Sequence, residues 1–162
     1  RLIEGMEKIG QQTLWLWPNI DAGADHVSSA IRAYREKSRG QKDKASWLRL
    51  VKNYPPDVYQ KLLANAACVI GNSSSFIRDS SFFGTPVVIV GGRQEGREVA
   101  ENVSYTDYTT DTIVSTIRKQ LDHGRYAAST LYGDGKASQR IADHLATVPI
   151  YIQKMLDFAR VS

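Results

Sequence analysis

Several features that the sequence lacks exclude whole classes of protein. Its 162 residues include one cysteine, Cys68, so an intrachain disulfide and a cysteine-based metal cluster are excluded. No apolar run approaches the length of a membrane span, and no signal-peptide pattern is present. No block of Lys and Arg stands apart from acidic neighbours, which disfavours a nucleic-acid surface. We therefore expect a cytoplasmic protein that binds neither membrane nor nucleic acid.

The sequence also lacks an initiator methionine. It begins at Arg1, and apolar residues recur at helical spacing over 2–9, which indicates an amphipathic helix with nothing in front of it. We expect the chain to be a fragment of a longer protein.

What is present is an ordinary globular composition, with 42% hydrophobic residues, 23% charged residues and a net charge of +4. Predicted strands at 13–17, 47–51, 66–70, 87–90 and 103–105 alternate with predicted helices at 24–37, 58–67, 75–83, 111–122, 137–145 and 150–159. Val27, Ile31 and Tyr34 are expected to face inward from one helix, and Ile141 from another. Such alternation predicts parallel βαβ units in a three-layer α/β sandwich. We expect one domain over 1–148 and a C-terminal helix within 149–162.

The segment 68–102 carries the strongest chemical signal. Gly71 ends an apolar run, and the polar residues 72–75 then suit a helix start, because Asn and Ser side chains accept hydrogen bonds from first-turn amides. The helix is predicted to stop at Gly84, and a strand then leads into Gly91 and Gly92. Both loops leave the carboxyl ends of parallel strands, where open α/β folds bind ligands.

This edge favours an anion, since a helix start offers unpaired amides and a partial positive charge. Arg93 and Arg97 would share a face if their segment were helical. Asp79 lies one turn beyond Ser75, where its carboxylate can accept two hydrogen bonds from a ribose diol. The alternative is a capped helix with a solvated Asp79, and a loop whose Arg and Glu residues pair among themselves.

The segments GNSSSFIRD, FGTPVVIVGGRQEGRE, EN and YGDG together resemble the C-terminal half of UDP-N-acetylglucosamine 2-epimerases. The upstream segment WPNIDAG resembles the hydrolysing members, which release UDP and N-acetylmannosamine. The resemblance extends from about Leu14 to about Leu145. It implies a Rossmann-like domain with a parallel sheet, the C-terminal half of a two-domain fold shared with glycosyltransferases of the B type (GT-B).

The resemblance also implies a UDP site. Its members would be Ser73, Ser74 and Arg97 at the phosphates, Asp79 at the ribose, and Asn19 and Tyr54 in the rest of the nucleotide pocket. The residues themselves leave alternatives open: Asp21 can cap a helix, Tyr54 can cover the core, and the turn at 132–135 can be purely structural.

The implied chemistry divides between two halves. A base removes the proton at C2 of the sugar, UDP leaves by anti-elimination, and water is added on reprotonation. The acid/base carboxylates belong to the N-terminal domain, so we expect no catalytic residue, no metal and no cofactor here, and no activity from this chain alone. The partners expected are a UDP-sugar, the N-terminal domain and further copies in a homo-oligomer, in a pathway of sialic-acid-like or surface-polysaccharide synthesis.

Two residues depart from the family pattern. The ribose-binding acid is usually Glu where this chain has Asp79, and relatives often have Gly where it has Phe76. Both departures leave room for a weakened site or a different sugar nucleotide. Two further hypotheses stay open: the donor-nucleotide domain of a GT-B glycosyltransferase, and a non-catalytic module that binds a sugar nucleotide.

Overall fold

The computed structural model of the chain describes residues 1–18, 24–38 and 46–150. The chain divides into two units, Arg1–Tyr132 and Gly133–Ser162. In chain order, the first unit contains α1 (Leu2–Ile9), β1 (Thr13–Leu16), α2 (Ala24–Lys37), β2 (Leu48–Val51), α3 (Pro56–Asn65), β3 (Val69–Gly71), α4 (Ser74–Phe83), β4 (Val87–Val90), a short 3-10 helix (Gly92–Gln94), β5 (Val103–Thr106) and α5 (Thr110–His123); the second contains α6 (Ala137–Thr147). The domain boundary at 148 that the sequence predicts stays a prediction.

Every described pair of strands is parallel, which confirms the predicted α/β class. Strand β1 pairs with β2, and Thr13 lies opposite Leu48. In the other sheet β4 is central, and Val87 lies between Val69 of β3 and Val103 of β5. The described strands thus form two sheets, whereas the sequence predicts one. Side chains of both sheets pack into one apolar cluster, so the division interrupts backbone hydrogen bonding without separating the core.

Strand β4 separates two apolar clusters, one on each side of its sheet. Its β-branched side chains suit a strand, and they alternate between the faces. Val88 and Val90 pack with residues of α1 and α5, namely Met6, Ile113 and Ile117. Val87 and Ile89 pack with residues of α3, β3 and α4, namely Leu63, Val69 and Ile77. Helices therefore cover both faces of the sheet, which confirms the predicted three-layer sandwich.

A buried polar network lies at the start of β4. The side chain of Gln120 on α5 is 1% exposed, and its Nε2 donates to the carbonyl oxygens of Val87 (3.0 Å) and Asn102 (3.2 Å). Its Oε1 accepts from the Tyr126 hydroxyl at 2.8 Å, and Asn102 Nδ2 donates to the Thr85 carbonyl at 2.7 Å. A buried amide is costly unless it is hydrogen-bonded, so this network stabilises one arrangement of α5 on the sheet.

Two predicted core positions are wrong. Val27 is 42% exposed, because α2 reaches the core one turn later at Ile31, which is 2% exposed. Ile141 is 59% exposed, since no residue of α6 is buried in the second unit. The predicted helix at 150–159 falls outside the described residues beyond Ile150.

Cys68 packs against the edge of the core beside β3. Burial raises the pKa of its thiol to about 12. The thiol therefore stays protonated at neutral pH, which agrees with the small apolar role that its sequence context predicts. No described helix combines the length and apolar character that a membrane crossing requires.

Gly84 should be more sensitive to substitution than Gly10, although both end helices in the same left-handed conformation. Gly84 has φ 65° and Gly10 has φ 68°. A Cβ added at Gly84 would lie 2.1 Å from the carbonyl oxygen of Tyr126, whereas one at Gly10 would meet nothing closer than 3.9 Å. We expect Gly10→Ala to lower the free energy of unfolding by about 1 kcal/mol, the cost of the left-handed conformation.

Gly84→Ala should lower it by about 3 kcal/mol or more, because backbone must also move. Urea denaturation of the two variants measures both values. Equal losses would show that the contact between Gly84 and Tyr126 does not constrain the fold.

Candidate functional site

The start of α4 follows directly from the end of β3, as predicted. Ser73 occupies the position before the helix with φ −74° and ψ 138°, the extended conformation usual for that position. Its side chain does not cap the helix, however, so the predicted capping role is wrong. The Ser73 Oγ instead lies 3.0 Å from the Oγ of Ser75. This contact takes the place of a hydrogen bond between Ser73 and a backbone amide of the helix start. Ser73 is exposed, and Ser74, the first residue of the helix, is half-buried.

Polar contacts join α4 to α3 along the same side. The Tyr59 hydroxyl lies 2.6 Å from Ser75 Oγ, and Gln60 Nε2 donates to Asp79 Oδ2 at 3.4 Å. Burial and the nearby Asp79 charge raise the pKa of the Tyr59 hydroxyl, although its hydrogen bond with Ser75 acts in the opposite direction. The sequence analysis missed Tyr59 and Gln60. Their position in the sequence could have indicated them, because both lie on α3, the helix that directly precedes β3.

The glycine-rich loop after β4 lies against the turn before α4. Gln94 of the 3-10 helix is 4% exposed, and its Nε2 donates to the carbonyl oxygen of Asn72 at 2.8 Å. The Tyr105 hydroxyl donates to the backbone carbonyl of Gln94 at 3.2 Å. The side-chain Oε1 of Gln94 is buried without a hydrogen-bond partner among the described residues. The two loops that the sequence predicts at one edge are therefore in direct contact.

The segment that contains Arg93 and Arg97 is not an α-helix, so the condition under which the two side chains would share a face is not met. The 3-10 helix ends at Gln94, a turn follows at Glu95 and Gly96, and the backbone then continues without regular structure. Gly96 has φ 77°, which a right-handed helix does not allow. Both arginine side chains are exposed, so they can reach an anion from the loop but not from one helical face.

Two tyrosines, Tyr108 and Tyr132, contact the rest of this loop. Gly91 has φ 79°, and a Cβ added there would lie 2.0 Å from the hydroxyl oxygen of Tyr108. The Tyr132 hydroxyl donates to the carbonyl oxygen of Glu98, next to Arg97. Tyr132 begins the YGDG segment, so this segment contributes a hydroxyl to the loop, a contact that the sequence analysis did not predict.

The remaining residues predicted for the nucleotide pocket are Asn19 and Tyr54. Asn19 lies outside the described residues, as does Asp21. Tyr54 is half-buried beyond the end of β2, and its backbone amide donates to the side chain of Asn53 at 2.8 Å. No described hydrogen bond joins Tyr54 to Ser73 or Asp79, which lie with α4.

Asp134 of the YGDG segment has structural partners. Its Oδ2 accepts from Arg140 Nη2 at 2.5 Å, and its Oδ1 accepts from the Lys136 amide at 3.0 Å. The Arg140 hydrogen bond, and next the Lys136 amide, lower the pKa of the Asp134 carboxyl. Both partners lie in the second unit, which favours the structural alternative for this carboxylate.

The start of α4 does not line either of two clefts of the described surface. These clefts, of about 540 and 410 Å³, lie elsewhere; they are lined by Glu4, Glu7, Lys8, Thr110 and Asp111, and by Tyr34, Arg35, Ser38, Leu48, Arg49 and Leu50. The described residues contain no group of three or more His, Cys, Asp or Glu side chains that could hold a metal ion. The groups that this edge can offer to an anion are the serine hydroxyls and first-turn amides of α4, together with the arginines of the glycine-rich loop.

Comparison with known proteins gives a consistent result. A family model described as UDP-N-acetylglucosamine 2-epimerase matches residues 1–146. The UDP-N,N'-diacetylbacillosamine 2-epimerase (hydrolyzing) of Legionella pneumophila is 34% identical over 142 residues, which are 88% of this chain and 36% of that protein. The UDP-N-acetylglucosamine 2-epimerase of Neisseria meningitidis is 27% identical over 132 residues, 82% of this chain and 33% of the relative.

A shorter match is closer in sequence. The GDP/UDP-N,N'-diacetylbacillosamine 2-epimerase (hydrolyzing) of Campylobacter jejuni is 42% identical over 85 residues, 52% of this chain and 21% of that protein. The chain thus spans about a third, or less, of the length of these relatives.

Gly91 should be required by its backbone conformation. Its φ of 79° with ψ −179° is almost restricted to glycine, so we expect Gly91→Ala to lower the free energy of unfolding by about 1–3 kcal/mol. The nearest atom to an added Cβ is the hydroxyl oxygen of Tyr108, whose side chain is 59% exposed and can move aside. Combining Gly91→Ala with Tyr108→Ala should therefore recover little of the loss. Thermal and urea denaturation of both single variants and the double variant test this, and recovery of most of the loss in the double variant would contradict it.

Proposed function

The chain belongs to the UDP-N-acetylglucosamine 2-epimerase family, and we propose that it forms the UDP-binding part of a hydrolysing enzyme of this kind. The whole protein would convert UDP-N-acetylglucosamine, or a closely related UDP-N-acetylhexosamine, to UDP and the 2-epimeric free sugar. The word hydrolyzing in the names of two of the relatives above supports this choice. So does the WPNIDAG segment of the sequence.

The observation that carries the proposal is the hydrogen bond from Gln94 to the Asn72 carbonyl. It fixes the glycine-rich loop against the turn that leads into α4. A diphosphate at this edge would meet the hydroxyl of Ser73 and the first-turn amides at Ser74 on one side. On the other side it would meet Arg97, whose guanidinium suits phosphate oxygens.

The nucleoside would lie along the outer side of α3 and α4. Asp79 is half-buried on α4, and in this proposal it accepts hydrogen bonds from the ribose diol. Its contact with Gln60 is long at 3.4 Å, and a ribose hydroxyl would offer a better donor. Tyr54 and Asn19 would complete the pocket around the base. The Tyr54 amide already donates to Asn53, so its carbonyl oxygen is the backbone group it can offer to uracil.

The chemical role of this part is to stabilise the leaving group. Cleavage of the bond between the sugar and the diphosphate places negative charge on UDP, and positive groups held in place lower that barrier. The base that removes the C2 proton and the acid that returns one would come from the N-terminal part of the protein. No metal or cofactor enters the proposed reaction. We place the protein in the cytoplasm, as a homo-oligomer that supplies sialic-acid-like or surface-polysaccharide synthesis.

The chain should bind UDP and discriminate against ADP. Phosphate contacts alone would hold both, whereas a uracil pocket leaves unpaired polar groups when adenine occupies it. We expect Arg97→Ala and Asp79→Asn each to weaken UDP binding about tenfold, because each removes hydrogen bonds that involve a charged group. Isothermal titration calorimetry with UDP, UMP and ADP measures these affinities.

Arg118→Ala is the matched control for Arg97→Ala. Arg118 is also exposed, but it lies on α5 and the change in net charge is the same. Its variant should bind UDP as tightly as the unaltered chain. Equal losses in both arginine variants would reduce the role of Arg97 to general electrostatic attraction, and equal binding of ADP and UDP would exclude a uracil pocket.

The 162-residue chain should have no epimerase activity by itself. We expect no release of UDP or free sugar from UDP-N-acetylglucosamine above the rate without protein, since the proposed acid/base groups are absent. Chromatography of the products over several hours, with a full-length relative as the positive control, measures this. Turnover by the chain would mean that its own residues perform the proton transfers.

A further inference from the structure

A row of three hydroxyl groups runs from α3 to the start of α4. The Tyr59 hydroxyl is 2.6 Å from Ser75 Oγ, and Ser75 Oγ is 3.0 Å from Ser73 Oγ. Exposure increases along the row: Tyr59 and Ser75 are half-buried, and Ser73 is exposed. The row therefore leads from the interface of two helices to the point where the diphosphate is proposed to bind.

The geometry allows either hydroxyl of each pair to donate, and the acidity of the groups favours one order. A phenol is more acidic than an aliphatic alcohol and is the better donor, which favours donation from Tyr59 to Ser75. The Tyr59 hydroxyl has no other hydrogen bond among the described residues, so this order uses its hydrogen within the row. Burial and the Asp79 charge raise the pKa of Tyr59, so its hydroxyl keeps its proton at neutral pH.

In the same order Ser75 donates to Ser73, which leaves the hydrogen of the exposed Ser73 hydroxyl available to solvent or to a ligand. A hydroxyl that already accepts a hydrogen bond is a better donor to a third group. A phosphate oxygen is a strong acceptor and lies at this position in the proposed function.

We propose that Tyr59 is a positioning residue for the diphosphate, acting through Ser75 to hold the Ser73 hydroxyl as a donor. This inference rests on the proposed function and extends it to two residues that the UDP site did not include. Tyr59 itself contacts no ligand. Removing the Tyr59 hydroxyl should therefore weaken the contacts with the phosphates and leave the nucleoside contacts unchanged.

The test is Tyr59→Phe in the 162-residue chain, with the affinities for UDP and for uridine measured in parallel. Removing the hydroxyl releases Ser75 and Ser73 to other rotamers, so UDP binding should weaken about three- to tenfold. Uridine binding, measured by NMR titration, should stay the same. Tyr126→Phe is the matched control, because it also removes a tyrosine hydroxyl with a 2.8 Å hydrogen bond, but on the side of Gln120. It should change neither affinity.

A second variant tests the route through Ser75. Ser75→Ala should weaken UDP binding to the same extent as Tyr59→Phe, and the double variant should be no weaker than either single one. Additive losses would overturn the proposed action of Tyr59 through Ser75. An unchanged UDP affinity in Tyr59→Phe, or an equal loss of affinity for UDP and uridine, would overturn it as well. If the unaltered chain binds no UDP, the proposed function fails and this inference fails with it; if it does and Tyr59→Phe has no effect, only the inference fails.

Discussion

Strand β4 is buried on both faces, and the packing of the first unit depends on this burial. Val87, Val88 and Ile89 are completely buried, so each face of the strand must be covered by helices. Helices α1 and α5 cover one face, and α3 and α4 cover the other. Because a two-sided core leaves little freedom to slide, the position of β4 fixes where its neighbours begin and end.

The two ends of β4 have different roles as a result. At its start, Gln120 and Asn102 donate hydrogen bonds to buried carbonyl groups. At its carboxyl end, Gly91 turns the chain beside the hydroxyl end of Tyr108, and Gln94 fixes the loop to the turn before α4. Parallel pairing places the end of β3 at the same edge. One end of β4 thus carries a buried polar network, and the other end carries two loops in contact.

Most of the fold could be predicted from the sequence, whereas less of the site could. The bounds of α2 and β4 match the predicted ones, because apolar periodicity and β-branched runs are local signals. The condition for a shared face of Arg93 and Arg97, a helical segment, is not met, since Gly96 takes a positive φ that no periodicity reveals. Ile141 was expected to be buried, but apolar spacing shows which face of a helix is apolar and not whether anything covers it. Tyr59 and Gln94 were missed because their partners are 16 and 22 residues away.

The sequence by itself determined the family, the parallel α/β class and the order of the elements, because these depend on local patterns and on motifs in a fixed order. It also determined that polar loops follow β3 and β4. Only the tertiary structure decided which groups meet at that edge. The contacts of Gln94 with Asn72 and of Tyr59 with Ser75 require two segments to reach hydrogen-bonding distance, and that distance is set by how the helices pack on β4.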